Sequence, residues 1–130
     1  MKGECKVNVA LTIWEDRISP LFDSATMLLI VEVKNGCIVA RHRRAIDSEM
    51  PISRVSVLSE CGIRIIICGA ISQFYAHMIE AHGIRIIPFV TGEIERVLDA
   101  YLHNALFLPS FRMPGCGKQR RLRFRGGRRG

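Results

Sequence analysis

Hydrophobic residues change their spacing once along this chain, near residue 50, and that change decides what it can fold into. Before it, the pattern is that of strands. Val7, Val9, Leu11 and Ile13 alternate with Asn8, Ala10 and Thr12, which gives a first strand one apolar face. A polar loop, Glu15-Asp16-Arg17, closes it. Met27 to Val33 is almost continuously apolar and leads into Lys34-Asn35-Gly36-Cys37, where Asn-Gly favours the positive φ angles of a two-residue hairpin turn. The second and third strands are therefore predicted to pair antiparallel. The third runs from Cys37 to about Arg44, and its Arg41-His42-Arg43-Arg44 cluster suits an edge, where charge discourages further pairing.

After residue 50, Ile52, Val55, Leu58 and Cys61 recur every three residues before Gly62, which predicts a first helix. Ile65-Ile66-Ile67-Cys68 is a short apolar run of the kind found in a central strand covered on both faces. Ser72 can cap a second helix reaching His82, with Gly83 ending it. Ile84 to Phe89 predicts a fifth strand. Thr91 is the predicted cap of a third helix, with Glu93 and Glu95 in its first turn and Ile94, Val97, Leu98, Tyr101, Leu102 and Ala105 as its core stripe. The order βββαβαβα predicts an α/β fold, a mixed five-stranded sheet with three helices on its faces and right-handed crossovers between the later strands.

The 130 residues, 48% of them hydrophobic, suit one folded domain with a core that needs no disulfides. The net charge of +7 is unevenly placed: residues 1–111 hold 11 Lys/Arg against all 12 Asp/Glu, and Arg112 to Gly130 hold 8 Lys/Arg and no acid. The expected organisation is a domain over residues 1–108 and a flexible Arg/Gly-rich tail over 109–130. Cys5, Cys37, Cys61, Cys68 and Cys116 include no Cys-x-x-Cys pair, which argues against a disulfide scaffold or zinc ribbon. No signal peptide is legible at the start, and no apolar run approaches the roughly 20 residues that span a bilayer. The chain is expected to be soluble, reduced and cytoplasmic.

The run Ile67-Cys68-Gly69-Ala70-Ile71-Ser72 takes a central strand through glycine directly into a helix, the place where open α/β sheets hold ligands. Gly69 allows close backbone approach, and the N–H groups at the head of the second helix can hold an anion such as phosphate, sulfide or molybdate. Cys68 is then a soft ligand at its lip; the alternative is a small buried hydrophobe, with Ser72 only a cap. Ser19, Phe22, Asp23 and Ser24, in the loop after the first strand, face the same rim if the first strand lies beside the fourth. They otherwise plug the core and cap a turn. His77, with Met78 or with Cys68 across the turn, is a weaker metal candidate, and His82 suits a helix C-terminus. No nucleophile with its base, no Walker loop and no dinucleotide fingerprint is present, so no enzymatic activity is expected. The run Arg120 to Gly130, with one aromatic, Phe124, leaves a second reading open: an interaction module whose tail binds nucleic acid or an acidic protein nonspecifically.

Four segments together carry a resemblance: Arg17-Ile18-Ser19-Pro20-Leu21-Phe22-Asp23-Ser24-Ala25, Ile67-Cys68-Gly69-Ala70-Ile71-Ser72, Gly83-Ile84-Arg85-Ile86-Ile87-Pro88, and Gly92 with Val97-Leu98-Asp99-Ala100-Tyr101. Over about residues 5–108 the chain resembles the dinitrogenase iron–molybdenum cofactor biosynthesis family, small domains akin to NifX, NafY and the C-terminal domain of NifB. Met113-Pro114-Gly115-Cys116-Gly117 is similar to endings in a stand-alone branch of it. The resemblance implies a ribonuclease-H-like fold without nuclease chemistry, and the carrying or storing of a metal–sulfur cluster of molybdenum with iron, or a related thiomolybdate with copper. Many relatives have His-Phe-Gly where this chain has Leu21-Phe22-Asp23, the form of the stand-alone branch, which implies a carrier outside nitrogenase. It also implies an Mrp/MinD-type ATPase or another cofactor-assembly protein as partner. On this reading Cys68 or Cys116 is a thiolate of lowered pKa suited to a soft metal, and the arginines around Cys116 neutralise a thiometallate's charge. Cys5, Cys37 and Cys61 are left as core residues.

Overall fold

The hairpin turn forms where Asn-Gly stands. In a computed structural model of the chain, which describes residues 6–46 and 49–104, Asn35 and Gly36 take φ of 54° and 80°. The turn joins β3 (Met27–Lys34) antiparallel to β4 (Cys37–Ala45). Before it come β1 (Lys6–Trp14), β2 (Arg17–Ile18) and a one-turn 3-10 helix (Phe22–Ser24); after it come α1 (Pro51–Glu60), β5 (Ile65–Ile67), α2 (Gln73–Ala81), β6 (Arg85–Ile87) and α3 (Ile94–Leu102). The main path of the sheet is β4-β3-β1-β5-β6, with β1, β5 and β6 mutually parallel and β3 antiparallel to β1.

This order makes β1 the middle of the molecule. Val9, Leu11 and Ile13 bury on one face with Leu29, Val31 and the α3 residues Ile94, Val97 and Leu98. Ala10 buries on the other with Leu28, Ile30, Ile66, Val55 and Leu58 of α1, and Ile79 of α2. Complete burial of each large aliphatic side chain contributes roughly 1.5–3 kcal/mol, so a strand covered on both sides anchors the fold. Ala10 and Thr12, read from the sequence as a polar face, are both fully buried because helices cover that side too.

Several local expectations are corrected. The sheet has a sixth strand: Glu15 takes φ 59°, and β2 folds back to pair Trp14 with Arg17 and Ile13 with Ile18. Thr91 does not cap the third helix; its N-cap is Glu93, because Ile94 N bonds Asp16 O and Ile18 N bonds Gly92 O, which fix the chain up to that point. The last strand is shorter than Ile84 to Phe89, since Phe89 has φ 62° and leaves the sheet. On α1, Ile52 points to solvent at 72% exposure and Arg54 is buried in its place. Cys37 is exposed and Cys61 only half-buried, so neither is a full core residue. Cys5, Ala105 and the tail with Cys116 lie outside the described residues. Among those described, no helix is long and apolar enough to cross a membrane.

The basic edge is tied to α3 by Arg41, whose guanidinium donates to both oxygens of Glu95 at 2.6 and 3.0 Å. That hydrogen bond holds the Glu95 carboxyl below its ordinary range. A carboxylate with a depressed folded pKa stabilises the fold above its unfolded value and loses that contribution as pH falls through the folded one. Both groups are solvent-exposed, so the pair is worth less than about 1 kcal/mol. Glu95→Gln is expected to cost about 0.5 kcal/mol at neutral pH. The difference should begin to close below about pH 5 and vanish in stronger acid, as urea unfolding of both proteins across that range will show.

Candidate functional site

Because β1, β5 and β6 run parallel, their carboxyl ends share one rim of the sheet, and the segments that follow them meet there. Ser19 N donates to Thr12 O at 2.8 Å, which turns the loop after β2 back over the end of β1. Phe22 N then donates to Ala70 O at 2.8 Å and Ala70 N to Pro20 O at 2.9 Å, so the loop is zipped to the β5–α2 turn by a short parallel bridge. From the other side, Phe89 N donates to Gly69 O and Val90 N to Cys68 O. The fold thus gathers Ser19, Phe22, Asp23, Cys68, Gly69 and Ser72, which lie on two segments some fifty residues apart.

Gly69 is required by this junction itself. A Cβ there would stand 2.5 Å from Pro20 O and 2.6 Å from Ser19 O, closer than any real contact. The close approach read from the sequence is real, but what approaches is the protein's own loop.

Beneath the loop lies a residue that sequence reasoning missed. Arg54, 5% exposed, donates through Nη2 to Phe22 O at 2.7 Å and Ala25 O at 2.8 Å, the two ends of the 3-10 turn. Its guanidinium also lies over the Phe22 and Tyr75 rings, 5.6 and 5.9 Å from their centroids, and those rings meet edge to face at 5.2 Å. The available signal was an arginine beside Val55 and four residues before Leu58, inside the apolar stripe of α1.

The head of α2 is already served by side chains. Asp23 Oδ1 accepts from Ser72 N at 3.2 Å, and Ser72 Oγ accepts from Tyr75 N at 3.4 Å, the capping expected of Ser72. The N–H groups expected to stand open to an anion are therefore partly engaged by a carboxylate of the chain itself. Cys68 is fully buried, and burial first, then the charge of Asp23, pushes its thiol up to about 12. That corrects the expectation of a lowered pKa: desolvation disfavours the thiolate, and the neighbouring charge has the wrong sign. Cys68 is an S–H group near neutral pH. His77 is exposed on α2, and among the described residues no three His, Cys, Asp or Glu side chains converge as ligands for a bare metal ion. Cys116 lies outside the described residues.

The sequence matches the family described as dinitrogenase iron-molybdenum cofactor over residues 5–104. The chain belongs to that family. Among solved structures, the protein PH0822 is similar at a TM-score of 0.71, with 16% identity over 75% of this chain and 92% of that one. A Methanocaldococcus jannaschii protein is similar at 0.63, with 19% identity over 78% and 92%. The apo form of the orange protein from Desulfovibrio gigas is similar at 0.62, with 16% identity over 75% and 88%. At these identities the structural likenesses establish the fold alone. No curated protein matches the sequence.

The packing of the rim junction makes a sharp prediction. Gly69→Ala should force the Ser19-Pro20 backbone off the β5–α2 turn and cost about 3 kcal/mol, near the upper end for overpacking. Gly36→Ala, which meets nothing within 4 Å and carries only the strain of its positive φ, should cost about 1 kcal/mol. Urea midpoints of the two variants check the ranking.

Proposed function

We propose that this member of the iron-molybdenum cofactor family binds a preformed metal–sulfur cluster as cargo and passes it on without chemical turnover. The cargo is of the molybdenum–iron or thiomolybdate type, copper-containing forms included. Its place is the rim where the Ser19–Ala25 loop meets the Cys68–Ser72 turn.

The observation that carries this reading is the donor set at that rim. A bare ion needs three or four converging ligands, and none of the described side chains group that way. What the rim holds is backbone N–H groups at the head of α2, now bonded to Asp23 and Ser72, the hydroxyl of Ser72, a buried neutral thiol at Cys68 and the buried cation of Arg54 below. Such groups suit an anion that brings its own sulfide ligands and is held by hydrogen bonds and charge. The family description and the existence of an apo form of the similar orange protein support the same reading. Cys116 and the arginines that follow it are assigned an auxiliary role, meeting the negative charge of the same cargo. The donor or acceptor is assigned to the class of Mrp/MinD-type ATPases or other cofactor-assembly proteins.

Protein purified without oxygen, then assayed for molybdenum, iron, copper and acid-labile sulfide before and after exposure to thiomolybdate with iron or copper, tests the proposal. Stoichiometric molybdenum and sulfide retained after gel filtration is the expected result. No retained metal under either condition would overturn it. A chain ending after Ser110 should load less than the full chain; equal loading would confine the site to the rim.

A further inference from the structure

Thr12 carries a hydroxyl that the closed fold does not use. It is fully buried, and its Oγ1 has no hydrogen-bond partner. A buried, unpartnered hydroxyl destabilises the fold that carries it, so one at a candidate site calls for an explanation. Leu11 pairs with Ile67, the last residue of β5, and Thr12 and Cys68 are the next residues beyond that pair on the two adjacent segments. Alternation puts both on the face that holds Ala10, Ile66 and Phe22. An O–H and an S–H thus stand at the carboxyl ends of adjacent parallel strands, both without access to solvent.

Above them is the 3-10 turn. Phe22 belongs to the same buried cluster, and the charge of Asp23 is felt at the Cys68 thiol. The turn is fastened in three ways: the backbone bridge to Ala70, the carboxylate of Asp23 on Ser72 N, and Arg54 on Phe22 O and Ala25 O. Arg54 holds both ends of the turn, which keeps its shape. Asp23 occupies the position an anion would take at the head of α2.

We propose that the turn Phe22–Ser24 is a lid latched by Asp23, and that a thiometallate anion opens it by replacing the carboxylate at Ser72 N–H and accepting hydrogen bonds from Thr12 and Cys68 beneath. The identity of the ligand rests on the carrier reading; the lid does not. Both donors keep their protons, and no bond to metal forms. Asp23 is then an internal competitor for the anion site, and Thr12 a binding residue whose hydroxyl is satisfied only when the lid is open.

Three full-length variants test this. Thr12→Val removes the hydroxyl and keeps the shape; it should melt at or above the wild-type temperature, yet bind tetrathiomolybdate about tenfold more weakly, the worth of one hydrogen bond to a charged group. Thr12→Ser should retain binding. Asp23→Ala should speed maleimide labelling of the Cys68 peptide, read by mass spectrometry, by about tenfold, with a rate insensitive to low urea as local opening requires. A lowered melting temperature in Thr12→Val would show that the closed fold needs the hydroxyl and would overturn the proposal. Cys68 labelling in Asp23→Ala that is unchanged, or that rises only with urea as global unfolding does, would also overturn it. If wild-type protein fails to bind tetrathiomolybdate, the carrier reading fails, and Cys68 labelling still decides the lid.

Discussion

The backbone of Ser19 and Pro20 lies directly on Gly69, and everything at the rim depends on that contact. A side chain at position 69 would collide with two carbonyl oxygens, so the loop after β2 can reach the β5–α2 turn only across a glycine. Once there, two hydrogen bonds to Ala70 set its register, Phe22 enters the core, and Asp23 meets the head of α2. The candidate site is therefore a consequence of how two loops pack, since each of its polar groups is positioned by backbone that the contact brings together.

Charge at the rim is arranged in layers. The buried guanidinium of Arg54 holds carbonyl oxygens and aromatic faces, both of which favour a cation in a place where water cannot. Above it, Asp23 faces the positive end of α2, a pairing that helix dipoles favour. Cys68 lies close enough to Asp23 to feel its charge and is kept neutral by burial and by that carboxylate. The proposed carrier role would gain from such an arrangement. Hydrogen bonds from neutral groups bind more weakly than thiolate ligation, and a resident carboxylate can retake the anion position on departure.

The fold was largely legible because its signals are local. Asn35-Gly36 marks the hairpin, the isoleucine run marks β5, Ser72 and Gly83 bracket α2, and the basic cluster marks the edge strand. What escaped was set by tertiary contacts. The two-residue β2 exists because Glu15 turns the chain back on β1, and Glu93 replaces Thr91 as N-cap because β2 holds Gly92 and Asp16 holds Ile94. Burial of Thr12 needs helices on the second face of β1 as well as on the apolar face read from the sequence, and burial of Arg54 needs carbonyl oxygens contributed by a loop about thirty residues away. At the site, Ser19, Asp23, Gly69 and Ser72 could be named from sequence because turns and caps have residue signatures. The state of Cys68 could not, because its pKa depends on depth and on one distant carboxylate.

A rim site makes the location of binding the central claim, and amide chemical shifts locate binding residue by residue. Titration of isotope-labelled protein with tetrathiomolybdate, without oxygen, should move the resonances of Leu21, Phe22, Asp23, Gly69, Ala70 and Ser72 first and furthest, with β4 unaffected. Shifts confined to the arginines of β4 or of residues 112–130, with the rim unmoved, would contradict the account and make this chain a polyanion binder through its basic segments.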